Sequence, residues 1–402
     1  MSSTSRPRAG HHLQLLQGAT AFFSAMVQAM DASAHEIRLE TYIFDVSGGG
    51  ETVAAALERA ALRGVNVYLV VDGVGTPGFP SPWPERLNQA GVRWHVFAPL
   101  GRFGLLVPSQ WRRLHRKLCV VDGRIAFCGG INVLDDWFDP NHGTLSSARF
   151  DFAVQVSGPL VQQAQAVMSQ FWWRLQATQR LRRADLAGAG QALRQSVRER
   201  VMRETGQPGS GAALAELVLR DNLGSRNNIE RAYRLALSNA REEILLANAY
   251  FLPGRKIQRS LVHAARRGVR VRLLLQGRYE YFMQYHAAHA MYPSLMAAGI
   301  EIYEYAPSFM HAKVAVVDGH WATVGSSNMD PLSLLLAREA NVVVQDAAFA
   351  QDLRQALEHA MAHDAKQVDP AQHRQRSWRM KLFDLAAAGL MRVLLFLNGR
   401  RY

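Results

Sequence analysis

The sequence predicts an α/β protein of two domains related by a pseudo-twofold axis, each with a mixed, mostly parallel sheet flanked by helices. A chain of 402 residues is long enough for two ordinary domains, and 49% hydrophobic residues can fill two cores. Apolar strand patterns alternate with amphipathic helix patterns in both halves, which is typical of α/β units. One motif also occurs twice, as LHRKLCVVDGRIAFCGGIN at 114–132 and MHAKVAVVDGHWATVGSSN at 310–328.

The elements before the motif are repeated in the same order. The first strand, EIRLETYIF (36–44), matches EILLANAYF (243–251). The next helix and strand, ALERAALRGVNVYLVVDG (56–73), match SLVHAARRGVRVRLLLQG (260–277), and a second helix with a short strand follows in both halves. Each unit therefore reads strand, helix, strand, helix, short strand and motif strand.

The repeats set the expected domain limits. The first domain is predicted at 1–182 and the second at 212–370. Residues 183–211 are rich in Ala, Arg and Gly and end in a Gly/Pro/Ser cluster, which predicts a linker. Residues 371–402 are predicted to be an amphipathic, membrane-associating tail. The first half also carries an insert of apolar and basic residues, around LGRFGLLVPSQWRR, just before its motif.

Charge and cysteine content restrict the partners and the compartment. Lys and Arg number 46 against 33 Asp and Glu, a formal charge of +13, so the expected partners are polyanions: nucleic acid, phosphorylated substrates or an anionic membrane surface. Cys119 and Cys128 lie in apolar strand patterns and indicate a reducing compartment without disulfides. The sequence shows no secretory signal pattern, and no apolar run reaches the ~20 residues of a membrane span.

The motif places a histidine and a lysine on one face of a strand. Residues two apart in a strand point to the same side, so His115 lies beside Lys117 and His311 beside Lys313. An ammonium group has no lone pair to donate, so this arrangement disfavours a metal ion and favours a bound oxyanion.

Asn132 and Asn328 end the two motifs and supply amide donors for the same oxyanion. We therefore expect the motifs to meet at the domain junction and to hold one phosphate group. One histidine would attack phosphorus while the other protonates the leaving oxygen, and a second step would reverse the roles. Two independent half-sites are the alternative. A lone histidine in an apolar strand usually has a structural role, but its repetition with the same neighbours favours catalysis.

Four carboxylates accompany the histidines. Asp151 and Glu339 each precede a strand pattern downstream of a motif, and we expect them to orient the imidazole rings. Asp122 and Asp318 belong to the motif itself, but both stand before a Gly in VVDG, which favours a structural turn.

The repeated HxKxxxxD, followed by GG or GS and Asn, resembles the signature of the phospholipase D superfamily. Stretches such as ANAYFLPG and HWATVGSSNMDPLSLLLAREANV extend the resemblance to bacterial cardiolipin synthases of the B type. The resemblance implies two phospholipase D-like domains and a phospho-histidine intermediate formed without a metal or another cofactor. The site residues that it implies are the motif positions His115, Lys117, Asp122, His311, Lys313 and Asp318, with Asn132 and Asn328 binding phosphate.

The resemblance also implies a reaction. His115 would accept a phosphatidyl group from one phospholipid, and His311 would act as acid and base while an alcohol of another phospholipid takes it. Phosphatidylglycerol is the expected substrate, with phosphatidylethanolamine as a second candidate, at the cytoplasmic face of the inner membrane. A phospholipase, in which water attacks the intermediate, and a nuclease of the same superfamily are the alternatives. Nucleic acid is the less favoured partner, because no aromatic spacing suited to base stacking is present.

Three segments favour a membrane surface. In RMKLFDLAAAGLMRVLLFLNGRRY the residues Lys381, Asp384, Ala388 and Arg392 fall on one side of a helix, and the rest is mostly apolar. Aromatic residues at 278–292 and the insert before His115 are the other two segments. Packing of the terminal helix on the protein's own core is the alternative.

Overall fold

The structure is a computed structural model that describes most of the chain. The described residues are 7–101, 104, 112–139, 142–202, 211–221, 225, 227–279, 282–330 and 337–397. Most of the insert predicted before the first motif, at 102–103 and 105–111, lies outside them.

The first half of the chain forms one seven-stranded sheet, some further short strands and the helices that flank them. Its strands are β1 (Arg8–Gly10), β2 (His12–Gln17), β3 (Glu36–Thr41), β4 (Asn66–Asp72), β5 (Arg93–Phe97), β6 (Arg113–Leu114), β7 (Lys117–Val121), β8 (Ile125–Gly129), β9 (Phe138–Asp139), β10 (Gly143–Thr144) and β11 (Phe152–Ser157). Its helices are α1 (Gly18–Asp31), α2 (Gly49–Leu62), α3 (Trp83–Ala90), α4 (Pro159–Arg182) and α5 (Leu186–Met202). The sheet has the order β2-β11-β8-β7-β3-β4-β5.

The second half repeats this arrangement. Its strands are β12 (Gly211–Arg220), β13 (Glu243–Asn248), β14 (Arg270–Gln276), β15 (Glu301–Tyr305), β16 (Lys313–Val317), β17 (Trp321–Gly325), β18 (Ala337–Gln345) and β19 (Ala365–Gln367). Its helices are α6 (Asn228–Asn239), α7 (Arg255–Arg266), α8 (Phe282–His289), α9 (Tyr292–Met296), α10 (Ala347–His363), α11 (Pro370–Arg374) and α12 (Trp378–Leu397). The sheet order is β1-β12-β18-β17-β16-β13-β14-β15-β19, so β1 of the first half completes the second sheet.

Both sheets are mixed, as predicted, but most neighbouring strands are antiparallel, and the prediction of mostly parallel sheets is wrong in this respect. Within the large sheets, the parallel pairs are β3 with β4, β4 with β5, β13 with β14, β14 with β15, and the short β6 with β18. The motif strands β7 and β16 instead form hairpins with β8 and β17. A tight turn can connect only antiparallel neighbours, and the VVDG stretches are such turns.

The two sheets pack face to face around a shared core. Buried residues of both halves form it, including Phe152 and Val154 of β11 with Val316 of β16 and Val342 of β18. Separate cores lie on the outer faces, where α1 and α2 cover the first sheet and α6 and α7 cover the second. The motif strands of both halves therefore lie in the centre of the molecule.

Most of the predicted linker is helical. Helix α5 lies against α4, with Ala189, Ala192 and Ser196 buried, and Gln170 Nε2 of α4 donates a hydrogen bond to Ser196 O at 3.4 Å. Residues 203–210 lie outside the described part. The segment that joins the halves is thus largely a helix packed on the first half.

The predicted tail contains α11 and α12, and α12 packs against α8. Among the described residues, no helix combines the length and the apolar character needed to span a membrane.

Candidate active site

The two motifs meet because the backbone before each histidine pairs with a strand of the other half. Strand β6, directly before His115, pairs in parallel with the start of β18, and His115 N donates to Arg338 O at 3.0 Å. Symmetrically, Phe150 and Met310 form a parallel bridge, and His311 N donates to Phe150 O at 2.8 Å. Each histidine is therefore fixed next to the residue that precedes a carboxylate of the opposite half.

The carboxylates then bind the histidines across the junction. His115 Nδ1 lies 3.0 Å from both Glu339 Oε1 and Oε2, and His311 Nδ1 lies 2.7 Å from Asp151 Oδ2. A carboxylate accepts the Nδ1 proton, which leaves Nε2 of each ring as the nitrogen available for chemistry. The predicted orienting residues are thus in contact with the histidines, each serving the histidine of the other half.

The small residues of the motifs bind these carboxylates or leave space for them. Ser326 Oγ donates to Glu339 Oε2 at 2.5 Å. At the equivalent place in the first half, a Cβ on Gly130 would overlap the carboxylate of Asp151. Asp151 also accepts a hydrogen bond from Phe152 N at 2.8 Å. The GG of one motif and the GS of the other therefore suit the carboxylate that each must accommodate.

Two buried lysines accompany the histidines. Lys117 Nζ donates to His115 O at 2.8 Å, and Lys313 Nζ donates to His311 O. The ring of Tyr42 forms one wall, with its centroid 5.1 Å from that of His115 and 5.6 Å from Lys117 Nζ. The site thus carries concentrated positive charge that an anionic phosphodiester would neutralise.

Burial shifts the pKa values of the histidines and of Lys117. Burial lowers the pKa of His115, although Glu339 acts in the opposite direction. Burial also lowers the pKa of His311 well below its usual value, and Lys313 and Lys117 lower it further. The pKa of Lys117 falls to about 7 through burial and the nearby charge of Lys313. These lowered pKa values mean that the site disfavours additional positive charge.

The two orienting carboxylates differ in their electrostatics. Burial raises the pKa of Asp151 to about 7, against the opposing effect of Lys313. Burial also raises the pKa of Glu339, but His115, Lys117 and the Ser326 hydroxyl outweigh this and lower it overall. Glu339 is therefore the carboxylate that remains ionised at neutral pH.

The asparagines of the motifs are buried beside the strands. Asn132 Oδ1 accepts a hydrogen bond from Ile43 N at 3.2 Å, which leaves the amide NH₂ as the group that can donate to a phosphate. Asn328 is buried at the corresponding place.

Asp122 and Asp318 do not lie with the histidines. They stand at the far ends of the motif strands, roughly 20 Å along the chain from His115 and His311. Asp122 accepts hydrogen bonds from the backbone N–H groups of 34–36, and Asp318 from those of 241–243. Their geometry is that of a turn anchor and corrects their inclusion in the catalytic set.

Sequence reasoning missed one pair of residues that position the histidines. Asp72 Oδ2 accepts from Leu114 N at 2.7 Å, and Gln276 Oε1 accepts from Met310 N at 3.2 Å. Asp72 ends β4 and Gln276 ends β14, in the aligned stretches VVDG and LLQG. The aligned polar residue before Gly was the available signal, but the different residue types concealed it.

The fold and the site define a phospholipase D-like protein of two halves, and comparisons with known proteins identify the family. The family described as "Cardiolipin synthase, PLD-like domain" matches residues 26–172 and 233–361. The chain therefore belongs to the cardiolipin synthase family of phospholipase D-like proteins, which confirms the resemblance found in the sequence.

Two curated relatives support this assignment, and one solved structure shares the fold. The chain is 38% identical over 371 residues to cardiolipin synthase B of Salmonella typhi and of Escherichia coli (strain K12), covering 92% of this chain and 85% of each relative. The crystal structure of phosphatidylserine synthase from Haemophilus influenzae Rd KW20 superposes with a TM-score of 0.69 over 97% of both chains at 10% identity, which shows a shared fold.

Proposed function

We propose that the protein is a cardiolipin synthase-type phosphatidyltransferase, which moves a phosphatidyl group from one phospholipid to an alcohol of another. The observation that carries this proposal is the crossed arrangement of two histidine–carboxylate pairs around two buried lysines. Similarity to cardiolipin synthase B over most of the chain supports the substrate class.

In the proposed first step His115 Nε2 attacks the phosphorus atom of the donor. The bond from nitrogen to phosphorus forms while the bond to the head-group oxygen breaks. The negative charge of the bound phosphodiester would raise the pKa of His311, so that His311 takes up a proton before this step and donates it from Nε2 to the leaving oxygen. The imidazole gains positive charge in this step. Ionised Glu339, bound to Nδ1, would stabilise that charge, which supports His115 rather than His311 as the nucleophile.

In the second step the acceptor hydroxyl gives its proton to His311 and attacks phosphorus. The bond to His115 breaks, and the diphosphatidyl product leaves. Lys117 and Lys313, with the amides of Asn132 and Asn328, would bind the phosphate oxygens in both steps. The hydrogen bond from each lysine to a backbone carbonyl would give way to a hydrogen bond to the substrate.

The proposed substrates are phosphatidylglycerol, which supplies the acceptor hydroxyl, and phosphatidylethanolamine as a second donor. We place the protein at the cytoplasmic face of the inner membrane as a peripheral protein. Its net charge of +13 supports attachment to an anionic lipid surface.

Product analysis tests this proposal. The purified protein is incubated with mixed vesicles of the two lipids and, separately, with single- and double-stranded DNA, and the products are identified by mass spectrometry. A four-chain diphosphatidyl lipid, absent with His115→Ala and His311→Ala, is the expected result. His320→Ala, at the exposed end of the second motif hairpin, serves as the matched control and should retain activity. Phosphatidic acid alone would identify a phospholipase, and cleaved DNA with intact lipid would identify a nuclease.

A further inference from the structure

The terminal helix α12 has two apolar faces, of which the protein covers one. Its inner stripe of Asp384, Ala387 and Met391 is buried against α8, where Ala287 and Met283 complete a small core. The outer side carries large apolar residues that remain exposed, namely Trp378, Leu382, Phe383, Leu385, Leu390 and Val393. Single exposed apolar side chains are ordinary, but a continuous helix face of them marks an interaction site.

A buried polar contact fixes the orientation of this helix. Asp384 Oδ1 lies 2.7 Å from His286 Nδ1 of α8, and Asp384 Oδ2 accepts from Arg376 Nη1 at 2.8 Å. The polar side of the sequence pattern is thus, at Asp384, the side that docks on the protein. Because this contact holds the inner stripe in place, the apolar residues are directed outward.

The exposed face continues onto α8. The rings of Phe282 on α8 and Phe383 on α12 are 5.8 Å apart, and Phe282 is itself exposed. Tyr279, just before α8, is exposed too. Two elements therefore contribute to one apolar surface, with aromatic residues of the kind enriched at membrane interfaces.

Basic residues border this surface. Arg374 is exposed at the end of α11, and Arg379 and Lys381 are exposed at the start of α12. Lys381 Nζ donates to Arg374 O at 2.6 Å. An apolar helix face with cations at its edge matches the acyl and head-group layers of an anionic bilayer.

We infer that the outer face of α12, together with Phe282 and Tyr279, is a docking surface for an anionic lipid bilayer. The inference deepens the proposed function, on which it rests for the nature of the substrate. Helix α8 separates this surface from a cavity that Gln276, Arg278, Tyr285 and His289 help to line. Gln276 accepts a hydrogen bond from Met310 N, directly before His311, so α8 contacts both the docking helix α12 and a cavity that shares a residue with the active-site backbone.

Vesicle binding by the full chain tests the inference independently of turnover. The probes are phosphatidylcholine vesicles with and without equimolar phosphatidylglycerol, and binding is measured by co-sedimentation. The variant is Leu382→Glu with Leu385→Glu, at positions 55% and 67% exposed, so the fold should be retained. Leu62→Glu on α2, 70% exposed in the other half, is the matched control.

We expect the wild type and the control to bind the anionic vesicles, and the double variant to bind on the order of tenfold or more weakly. Equal binding by the double variant and the wild type would overturn the inference. So would a wild-type dimer that the double substitution converts to a monomer, by light scattering, while vesicle binding stays unchanged, because a second copy would then cover this face.

Activity on lipid dispersed in detergent micelles separates the two proposals. The double variant should match the wild type there, because its active site is intact, and should lose activity on vesicles. A wild type that turns over neither form of lipid would contradict the proposed function, and the vesicle-binding comparison would still decide the docking surface.

Discussion

His115 and His311 differ in the carboxylate that each one binds. Ionised Glu339 suits a nucleophile that becomes positively charged, whereas the raised pKa of Asp151 makes it the weaker counter-charge. The two histidines are therefore expected to have separable roles, in spite of the symmetry of the motifs.

A donor that needs no acid catalysis distinguishes these roles. With a phosphatidyl donor bearing a p-nitrophenyl leaving group, His311→Ala should still release one equivalent of nitrophenolate, because that group leaves without a proton. His115→Ala should release none. Rapid-mixing absorbance measures the burst, and intact-protein mass spectrometry measures the covalent adduct. A burst in His115→Ala and none in His311→Ala would reverse the assignment.

The lowered pKa of Lys117 predicts the alkaline side of the pH profile. As the pH rises through about 7, Lys117 of the free enzyme loses its charge, and the site binds an anionic phosphodiester less well. We expect kcat/KM to decline there. Lys117→Arg, whatever its absolute rate, should move this decline to higher pH, because a guanidinium remains charged. The control Lys366→Arg, at an exposed position on β19, should leave the profile unchanged; an unmoved decline in Lys117→Arg would exclude Lys117 as its cause.

The motif hairpins are the elements that fix the position of each active-site strand. Asp122 and Asp318 have φ values of 51° and 49°, which Asn also tolerates, so Asn substitutions remove charge without straining the backbone. Each aspartate accepts hydrogen bonds from three backbone N–H groups.

Asp122→Asn and Asp318→Asn should each lower the free energy of unfolding by roughly 1 to 3 kcal/mol while the folded protein keeps its kcat. Partial burial raises the pKa of both groups, but the backbone donors outweigh it and lower the pKa overall. Their contribution is therefore present at neutral pH and lost as the pH falls through the lowered values. Urea unfolding at neutral and acidic pH measures this. A large loss of kcat at unchanged stability would return these residues to the catalytic set.

The repeated strand and helix patterns predicted most elements, because hydrophobic periodicity is local. The direction of neighbouring strands was not predictable in the same way. Strands β3 to β5 are connected by helices and are parallel, as the pattern suggests, whereas β2 and β11 come together from distant parts of the chain. No local signal records that pairing.

At the scale of the whole molecule, the shared core joins the two halves into one cooperative unit. We expect a single unfolding transition in calorimetry, with equal calorimetric and van't Hoff enthalpies. Leu57→Ala lies in the outer core of the first half and Leu261→Ala in that of the second. Each should lower the free energy of unfolding of this single transition by about 2 to 5 kcal/mol. The exposed Leu235→Ala is the control. Two transitions, each shifted by only one of the substitutions, would show that the halves unfold separately.

The sequence predicts which residues form the site better than it predicts how they are arranged. Both histidines, both lysines and both orienting carboxylates were recognisable from the repeat. The crossing of the carboxylates was not, since His115 and Glu339 are 224 positions apart and their contact depends on how the sheets face each other. Asp72 and Gln276 were not predicted, because an aspartate in one half and a glutamine in the other accept the equivalent hydrogen bond from the residue before the histidine.

The crossed carboxylates also bear on how such a chain arose. Neither half supplies the carboxylate that binds its own histidine, so a single ancestral unit could have formed this site only as a pair of identical molecules, each completing the site of the other. Gene duplication and fusion would then have made that pairing permanent. Once fused, the two copies were free to diverge. One site now pairs Glu339 with Ser326 and the other pairs Asp151 with Gly130, a difference that two identical subunits could not have.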